Sequence, residues 1–366
     1  VPDWSRIHRE KRFGAGTLPL ALFSVLYGAG VRFRLSAYEK GIFRGKSLPG
    51  FVVSVGNLTA GGTGKTPAVA MLAKWALGEG HHVAVLSKGY GGRYKQDVLE
   101  VSDGERICAD ARMAGDESYL LAKGVPGSPV IISRSRYRGG VYAHEKFGSD
   151  FFILDDGFQH LELERDLNLA LVDARDPFGN GHLLPWGPLR EPLSQLRRAD
   201  AIILTRFCRE QEAGSREQGQ RTLALLKERF PSIPLFCADH LPDKVVFPAS
   251  GEVHDPGFLR KKRVLAFAGI AHPEHFEETL IGLGAEVIEF RGFRDHYPFN
   301  KNELQGLVRV KERIGAQYLL TTEKDWMRIA PVWRMQGDLA FLRIRFDLLP
   351  GQNGVFRMIS DGLRDK

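Results

Sequence analysis

Ser54-Val55-Gly56-Asn57-Leu58-Thr59-Ala60-Gly61-Gly62-Thr63-Gly64-Lys65-Thr66-Pro67 is the stretch on which the fold of this chain turns. It follows an apolar run, Phe51-Val52-Val53, and leads into a helix-like pattern carrying Met71, Leu72, Trp75 and Leu77. A strand, a glycine-rich turn and a helix entered through Gly-Lys-Thr form the cradle of a P-loop nucleotide site. Glycines let backbone N–H groups crowd around phosphate oxygens, and the helix N-terminus adds partial positive charge. The spacing predicts that Thr59, Ala60, Gly61, Gly62, Thr63, Gly64, Lys65 and Thr66 hold ATP. Lys65 is expected on the outer phosphates and the Thr66 hydroxyl on a magnesium ion. One departure is visible: Thr59 stands where such loops begin with glycine.

The chain has 366 residues, enough for two domains with separate cores. It is 43% hydrophobic and 26% charged, without repeats or low-complexity tracts, which excludes fibrous and disordered classes. A net charge of +7 favours an anionic partner: a membrane surface, nucleic acid or a phosphorylated substrate. Cys108, Cys208 and Cys237 are scattered with no CxxC pair, which argues against a zinc site or disulfide framework and fits a reducing cytosol.

Residues 18–31 carry no charge, while Arg6, Arg9, Lys11 and Arg12 precede them and Arg32 and Arg34 follow. A spanning helix needs roughly 20 apolar residues, so this short segment reads as a helix lying in the interface of an anionic membrane. A signal peptide and an ordinary core helix are the two other readings of the same pattern.

Beyond the P-loop helix, short apolar runs recur at Val83–Ser87, Val130–Ile132, Phe151–Leu154, Leu169–Val172 and Ala201–Leu204. Continuous apolar strands between helical patterns imply a parallel sheet covered on both faces. Ligands in such sheets gather beyond the carboxyl ends of the strands. The segments there include Arg93, Arg134, Asp155 and Asp156, and the two arginines are candidate substrate contacts. A polar stretch around residues 207–220 resembles a linker, after which runs at Leu235–Cys237, Val264–Phe267, Val287–Phe290 and Tyr318–Thr321 imply a second α/β series. The expected fold is therefore α/β, a P-loop NTPase-type parallel sheet with a second, smaller α/β domain. The expected division is a membrane-associating region at 1–34, a P-loop domain at 35–207, the smaller domain at 208–348, and a tail at 349–366 that packs back on the first domain.

Phe151-Phe152-Ile153-Leu154-Asp155-Asp156 is an apolar strand ending in two carboxylates, about 90 residues after Lys65. Adjacent side chains on a strand point to opposite faces, so one of Asp155 and Asp156 is expected to hold the metal and the other to support it. Asp116, in Gly115-Asp116-Glu117, reads by itself as a helix cap. A carboxylate is also what transfer to a sugar hydroxyl needs to accept the proton. His296, in Arg294-Asp295-His296-Tyr297, reads by itself as a surface residue.

Together the pieces resemble the tetraacyldisaccharide 4'-kinase family, the lipid A kinases of Gram-negative bacteria. The resemblance rests on residues 56–67, Lys88-Gly89-Tyr90-Gly91, Gly115-Asp116-Glu117, Asp155-Asp156-Gly157-Phe158-Gln159-His160, residues 183–192, Phe293-Arg294-Asp295-His296 and Thr321-Thr322-Glu323-Lys324-Asp325. It covers Thr59, since the family's loop departs in the same way. Ser118 replaces a proline common in the family, and Tyr297 stands where a second histidine often follows. The resemblance implies transfer of the ATP γ-phosphate to the 4'-hydroxyl of an acylated disaccharide 1-phosphate at the cytoplasmic face of the inner membrane. It makes Asp116 the candidate base, His296 its partner, and Arg190 and Glu191 substrate-lining residues. A monomer is expected.

Two other classes compete. A membrane-associated switch ATPase of the partitioning type shares Gly-Gly-Thr-Gly-Lys-Thr, but carries lysine where this chain has Ala60. A nucleic-acid-binding ATPase would suit the positive charge, but the aromatic–basic interleaving of such proteins is not found, so no nucleic-acid partner is expected.

Overall fold

β1 (Phe51–Gly56) is buried at every residue and runs between two parallel neighbours. The structure is a computed structural model that describes residues 7–8, 17–207, 213–333 and 339–366. Arg6, Arg9, Lys11, Arg12, Cys208 and the first part of the expected linker lie outside the described residues. The remaining strands are β2 (Val83–Ser87), β3 (Val98–Asp103), β4 (Pro129–Ser133), β5 (Phe151–Asp155), β6 (Leu167–Asp173), β7 (Ala201–Thr205), β8 (Leu235–Phe247), β9 (Glu252–His254), β10 (Arg263–Ala268), β11 (Glu286–Gly292), β12 (Tyr318–Thr322) and β13 (Leu339–Leu348). They form one sheet in the order β11-β10-β12-β13-β8-β7-β6-β1-β5-β2-β4-β3, with β9 beside β8.

The strands read from apolar runs are parallel, and those in the middle of the sheet, such as β1, β5 and β7, are buried on both sides, whereas β11 at the edge is half-exposed. Three joints depart from the expected parallel sheet, one of them the short pairing of β9 with β8. β3 closes one edge antiparallel to β4, and β13 pairs antiparallel with β8. β3 mixes in Glu100, and β13 follows its apolar start, residues 339–342, with Arg343 and Arg345, so neither reads as an apolar run throughout. β8 is the hinge between the halves of the sheet: Leu235–Cys237 pair with β7, while Ala238–Val246 pair with β13. The sheet therefore does not divide at residue 208. Helix Ala213–Arg229 and the start of β8 follow β7 and extend the first half, and the second half shares a strand with it rather than only packing against it.

The P-loop helix, Lys65–Gly78, packs Val69, Leu72 and Ala73 into the same core as Val53 and Val55 of β1. The C-terminal helix, Gly354–Arg364, adds Val355 and Ile359 to that core, and Phe356 stacks on Trp75 at 5.1 Å. The N-terminal helix, Leu18–Glu39, is turned inside out. It faces the protein with Ser24, Gly28, Leu35 and Ala37, and presents Leu22, Val25 and Leu26 at over 60% exposure. Ser24 Oγ donates to Leu183 O at 2.8 Å, and an added Cβ at Gly28 would lie 2.8 Å from the Leu183 side chain. An ordinary core helix would bury the large apolar residues instead, so that reading is not what the fold adopts.

Candidate functional site

The parallel strands end together, so the residues after β1, β2, β5 and β6 share one edge of the sheet. From β1 the chain runs through Asn57 into the glycine loop and turns into the P-loop helix at Gly64, whose φ is 84°. A Cβ there would fall 2.0 Å from His240 Nε2, so backbone freedom and close packing both require glycine. Lys65 Nζ donates to Asn57 Oδ1 at 3.1 Å and lies 3.5 Å from Gly61 O and from Asp156 Oδ1. The segment around Leu183–Pro192 braces the start of the loop. Thr59 bridges Leu189, Ala60 N–H donates to Pro188 O at 2.7 Å, and Arg190 N–H donates to Leu58 O at 2.8 Å. This pairing explains why Thr59 serves where a glycine is usual: the loop begins as a short extended bridge. It also occupies the Ala60 amide. The amides of Gly61, Gly62, Thr63 and Gly64 donate to no protein acceptor among the described residues. Thr63 Oγ1 is buried without a hydrogen-bond partner, and Thr66 sits half-buried one residue beyond Lys65.

Asp155 and Asp156 diverge, as alternation predicts, but the cause is a backbone turn. Asp155 ends β5 and accepts from Ser87 Oγ at 3.0 Å. Asp156 leaves the strand in the left-handed region, φ 52°, and pairs with Arg190 at 2.7 Å. Such a conformation is costly for a non-glycine residue and persists only where the surroundings enforce it. Burial opposes the charge of Asp156, but Lys65 and Arg190 more than offset it and hold the carboxyl below its ordinary range. Burial and the carboxylates of Glu117 and Asp156 push Asp155 up to about 6. Asp155 and Asp156 thus stand together at the loop mouth, Asp156 facing Lys65 and Asp155 short of compensating positive charge. That donor set, with the Thr66 hydroxyl, fits a hard divalent cation such as Mg2+. Ser118 has a use here that a proline could not supply: its Oγ donates to Ser87 Oγ at 2.9 Å, extending the network that holds Asp155.

Asp116 opens the helix Asp116–Gly124, but Gly115 holds the N-cap position, so the cap role read from the residues alone does not apply. Its buried carboxylate meets His296 from the other half of the sheet, Oδ2 to Nδ1 at 3.0 Å. Arg328 approaches the same oxygen at 3.3 Å. Burial would raise the Asp116 pKa, but the His296 hydrogen bond and the charges of Lys324, His296 and Arg328 lower it to about 2. The same bond raises His296 above its usual value, against burial and Lys324. His296 also has a left-handed backbone, φ 56°, pinned by its N–H to Gly269 O at 3.2 Å and Asp295 Oδ1 at 2.9 Å. Tyr297 turns away into an aromatic cluster with Phe293 and Phe299 and hydrogen-bonds Glu303, so the imidazole on Asp116 is that of His296.

Several residues gain importance only from the fold. Lys324 bridges the halves, 2.8 Å from Glu117 Oε1 and 3.4 Å from His296 Nε2. It stands in the Thr321–Asp325 run that carries the family resemblance, and that resemblance was the signal that could have found it. Arg136, not Arg134, reaches the acid strand, where its fully buried guanidinium donates to Asp155 O at 2.9 Å. Arg134 and Arg93 are exposed and make no ion pair among the described residues. Arg190 stays at the site through Asp156, while the buried Glu191 turns to Arg198. His160 is kept neutral, its pKa lowered to about 3 by burial and then by Arg136, Lys88, Arg165 and Arg34.

A profile of the family described as Tetraacyldisaccharide-1-P 4'-kinase matches residues 17–363. A tetraacyldisaccharide 4'-kinase of Syntrophus aciditrophicus (strain SB) is 41% identical over 354 residues, covering 94% of either chain. One from Geobacter metallireducens is 43% identical over 313 residues, covering 86% of this chain and 88% of its own. The solved structure of LpxK from Aquifex aeolicus, described as an "apo" form in complex with ATP, superposes with a TM-score of 0.72 at 34% identity. It covers 95% of this chain and 99% of its own. Nothing in this set favours a partitioning-type switch, whose signature lysine is replaced here by Ala60. Matched along nearly its whole length in sequence and superposed on a solved member, the chain belongs to the tetraacyldisaccharide-1-P 4'-kinase family.

Proposed function

We infer that this protein transfers the γ-phosphate of ATP to the 4'-hydroxyl of a tetraacyldisaccharide 1-phosphate, a step of lipid A biosynthesis. The observation that carries the mechanism is the 3.0 Å bond between Asp116 and His296, made at the same edge of the sheet as the loop whose Lys65 faces Asp156. Phosphoryl transfer passes through a loose transition state in which the protein positions groups and balances charge. The amides of Gly61 to Thr66 cradle the phosphates, and Lys65 neutralises charge on the transferring group. Thr66, Asp155 and Asp156 would hold Mg2+, which supplies charge neutralisation at the phosphates when bound. Asp116 and His296 together take the proton of the acceptor hydroxyl, and Lys324 and Arg328 keep the pair in place. Arg190 orients the acceptor or its incoming phosphate, with Glu191 supporting that turn through Arg198. Arg93 and Arg134 serve as outer contacts for the anionic substrate.

The first half of the sheet, through the start of β8, serves as the nucleotide unit, and the half beyond Cys237 delivers His296 over it. The tail at 349–366 steadies the P-loop helix. One chain carries both members of the pair, which is consistent with action as a monomer. The exposed apolar face of the N-terminal helix supports the reading that the enzyme works in the interface of an anionic membrane, at the cytoplasmic face of the inner membrane, where an acylated substrate resides. The test is direct: purified protein, labelled ATP and an acylated disaccharide 1-phosphate, with label followed by chromatography. Label entering the 4'-position is the expected result, and ATP hydrolysis without label in the lipid would overturn the assignment.

A further inference from the structure

Arg34 lies near the inner end of the N-terminal helix, exposed, where the apolar outer face gives way to protein contacts. Its Nη2 donates to Gln159 O at 2.9 Å, and its guanidinium stands 5.9 Å over the Tyr38 ring. No carboxylate among the described residues lies within ion-pair distance of it. The nearby acid, Glu191, is already taken by Arg198, and Arg165 adds a further positive charge to the same surroundings. Three arginines thus converge on one carboxylate, and Arg34 is the exposed one.

Arg34 is also at the end of a connected line. Lys65 faces Asp156, Asp156 pairs with Arg190, Arg190 Nη1 is 3.4 Å from Gln159 Oε1, and the Gln159 carbonyl accepts from Arg34. One end of this line is the phosphate loop and the other is the foot of the apolar helix. The acceptor of the proposed reaction has the same layout. Its reacting hydroxyl and its existing phosphate sit on different sugars of a disaccharide, with acyl chains anchoring the whole in the membrane. We propose that Arg34 binds the acceptor's own 1-phosphate and thereby selects a disaccharide that already carries one. This rests on the kinase assignment above. A guanidinium suits a phosphomonoester because its planar donors can engage two oxygens at once.

The test compares two acceptors with the same acyl chains, one with a 1-phosphate and one with a free 1-hydroxyl. kcat/KM is measured for each in neutral detergent micelles and in anionic vesicles, with the unsubstituted chain, Arg34→Gln and Arg34→Lys. The unsubstituted chain should prefer the 1-phosphate acceptor. Arg34→Gln should reduce that preference by about 10–100-fold, the range of a hydrogen bond to a charged group, chiefly through KM. Arg34→Lys should retain part of it. Equal losses on both acceptors would refute the inference and assign Arg34 to the Gln159 turn. Equal losses confined to anionic vesicles would refute it in favour of bulk phospholipid. A preference unchanged by Arg34→Gln would refute it alone, whereas no transfer to either acceptor by the unsubstituted chain would refute the kinase assignment as well. Unaltered ATP affinity and thermal unfolding of Arg34→Gln make the comparison one of folded proteins.

Discussion

Replacing Asp116 by asparagine and His296 by alanine, singly and together, tests whether the two act as one base. Asp116 is buried, and its pKa of about 2 lies well below the usual 3.8. That difference corresponds to about 2–3 kcal/mol of net preference for the charged form. His296 is the largest favourable contributor, followed by Lys324 and Arg328. Without His296 the other two cations still keep Asp116 ionised at neutral pH. The defect of His296→Ala is therefore loss of a proton-sharing partner rather than neutralisation of the base. A carboxylate of such low pKa is a poor proton acceptor alone, but the coupled pair has the basicity of its imidazole, raised above 6.5.

Each single substitution should lower kcat by roughly 10²–10⁴, with ATP affinity nearly unchanged. The double variant should fall no further than the worse single one, because groups acting as a unit are non-additive. The pH profile provides a second check. The pair can take a proton only while His296 is neutral, so kcat should rise with pH through a value above 6.5, and His296→Ala should lose that inflection. His160→Ala is the control: an imidazole held near 3 titrates far below the assay range, so the inflection should persist. Losses that multiply in the double variant, or an inflection that survives His296→Ala, would refute the reasoning.

Three further expectations can be checked with standard assays. Asp155→Asn should abolish Mg2+-dependent ATP binding yet raise the Tm of the protein without ligands. The folded pKa of about 6 exceeds the ordinary 3.8, so ionising this group costs about 3 kcal/mol of stability, a penalty that develops as pH rises from about 4 to about 6 and persists above it. An unchanged or lower Tm at pH 7.5 would count against it. Lys65→Ala should eliminate transfer and weaken ATP binding by about 10-fold or more, as removal of a charge-assisted contact implies; calorimetry measures this. Phe23→Asp with Leu26→Asp should weaken co-sedimentation with anionic vesicles while sparing ATP binding, since these exposed side chains would each contribute about 1.5–3 kcal/mol when buried in lipid. Sedimentation equal to the unsubstituted chain would show that this face does not meet the membrane.

Local patterns were legible because their causes are local. Gly64 must be glycine for its own φ, residues 151–154 must be apolar to sit between two strands, and Lys65 follows from the loop that precedes it. The parallel half-sheets and the glycine loop could therefore be read directly, as could two acids at the end of an apolar strand. What escaped was whatever depends on a partner distant in the chain. β3 lacks a continuous apolar run because it pairs at an edge, and β13 opens on the apolar run at residues 339–342 but then alternates with Arg343, Arg345 and Asp347, which face solvent across the antiparallel joint with β8. Arg134 and Arg136 are chemically identical two positions apart, and only the start of a helix at Arg136 decides which is buried under Asp155.

The same distinction runs through the site. Asp116 alone could be a cap and His296 alone a surface residue, and family likeness was needed to suggest that they belong together. The amino-acid order determines that a phosphate cradle forms after β1 and that acids stand beside it, since backbone conformation and burial periodicity are set within a few residues. Only the tertiary structure decides that Asp116 meets an imidazole 180 residues away, that Lys324 and Arg328 join them, and that Asp155 is the carboxyl left short of positive charge. Those outcomes arise because β8 carries the chain from one half of the sheet into the other and brings the loops after β11 and β12 back over the nucleotide edge. Electrostatic energy depends on separation in space, and no local pattern encodes that separation.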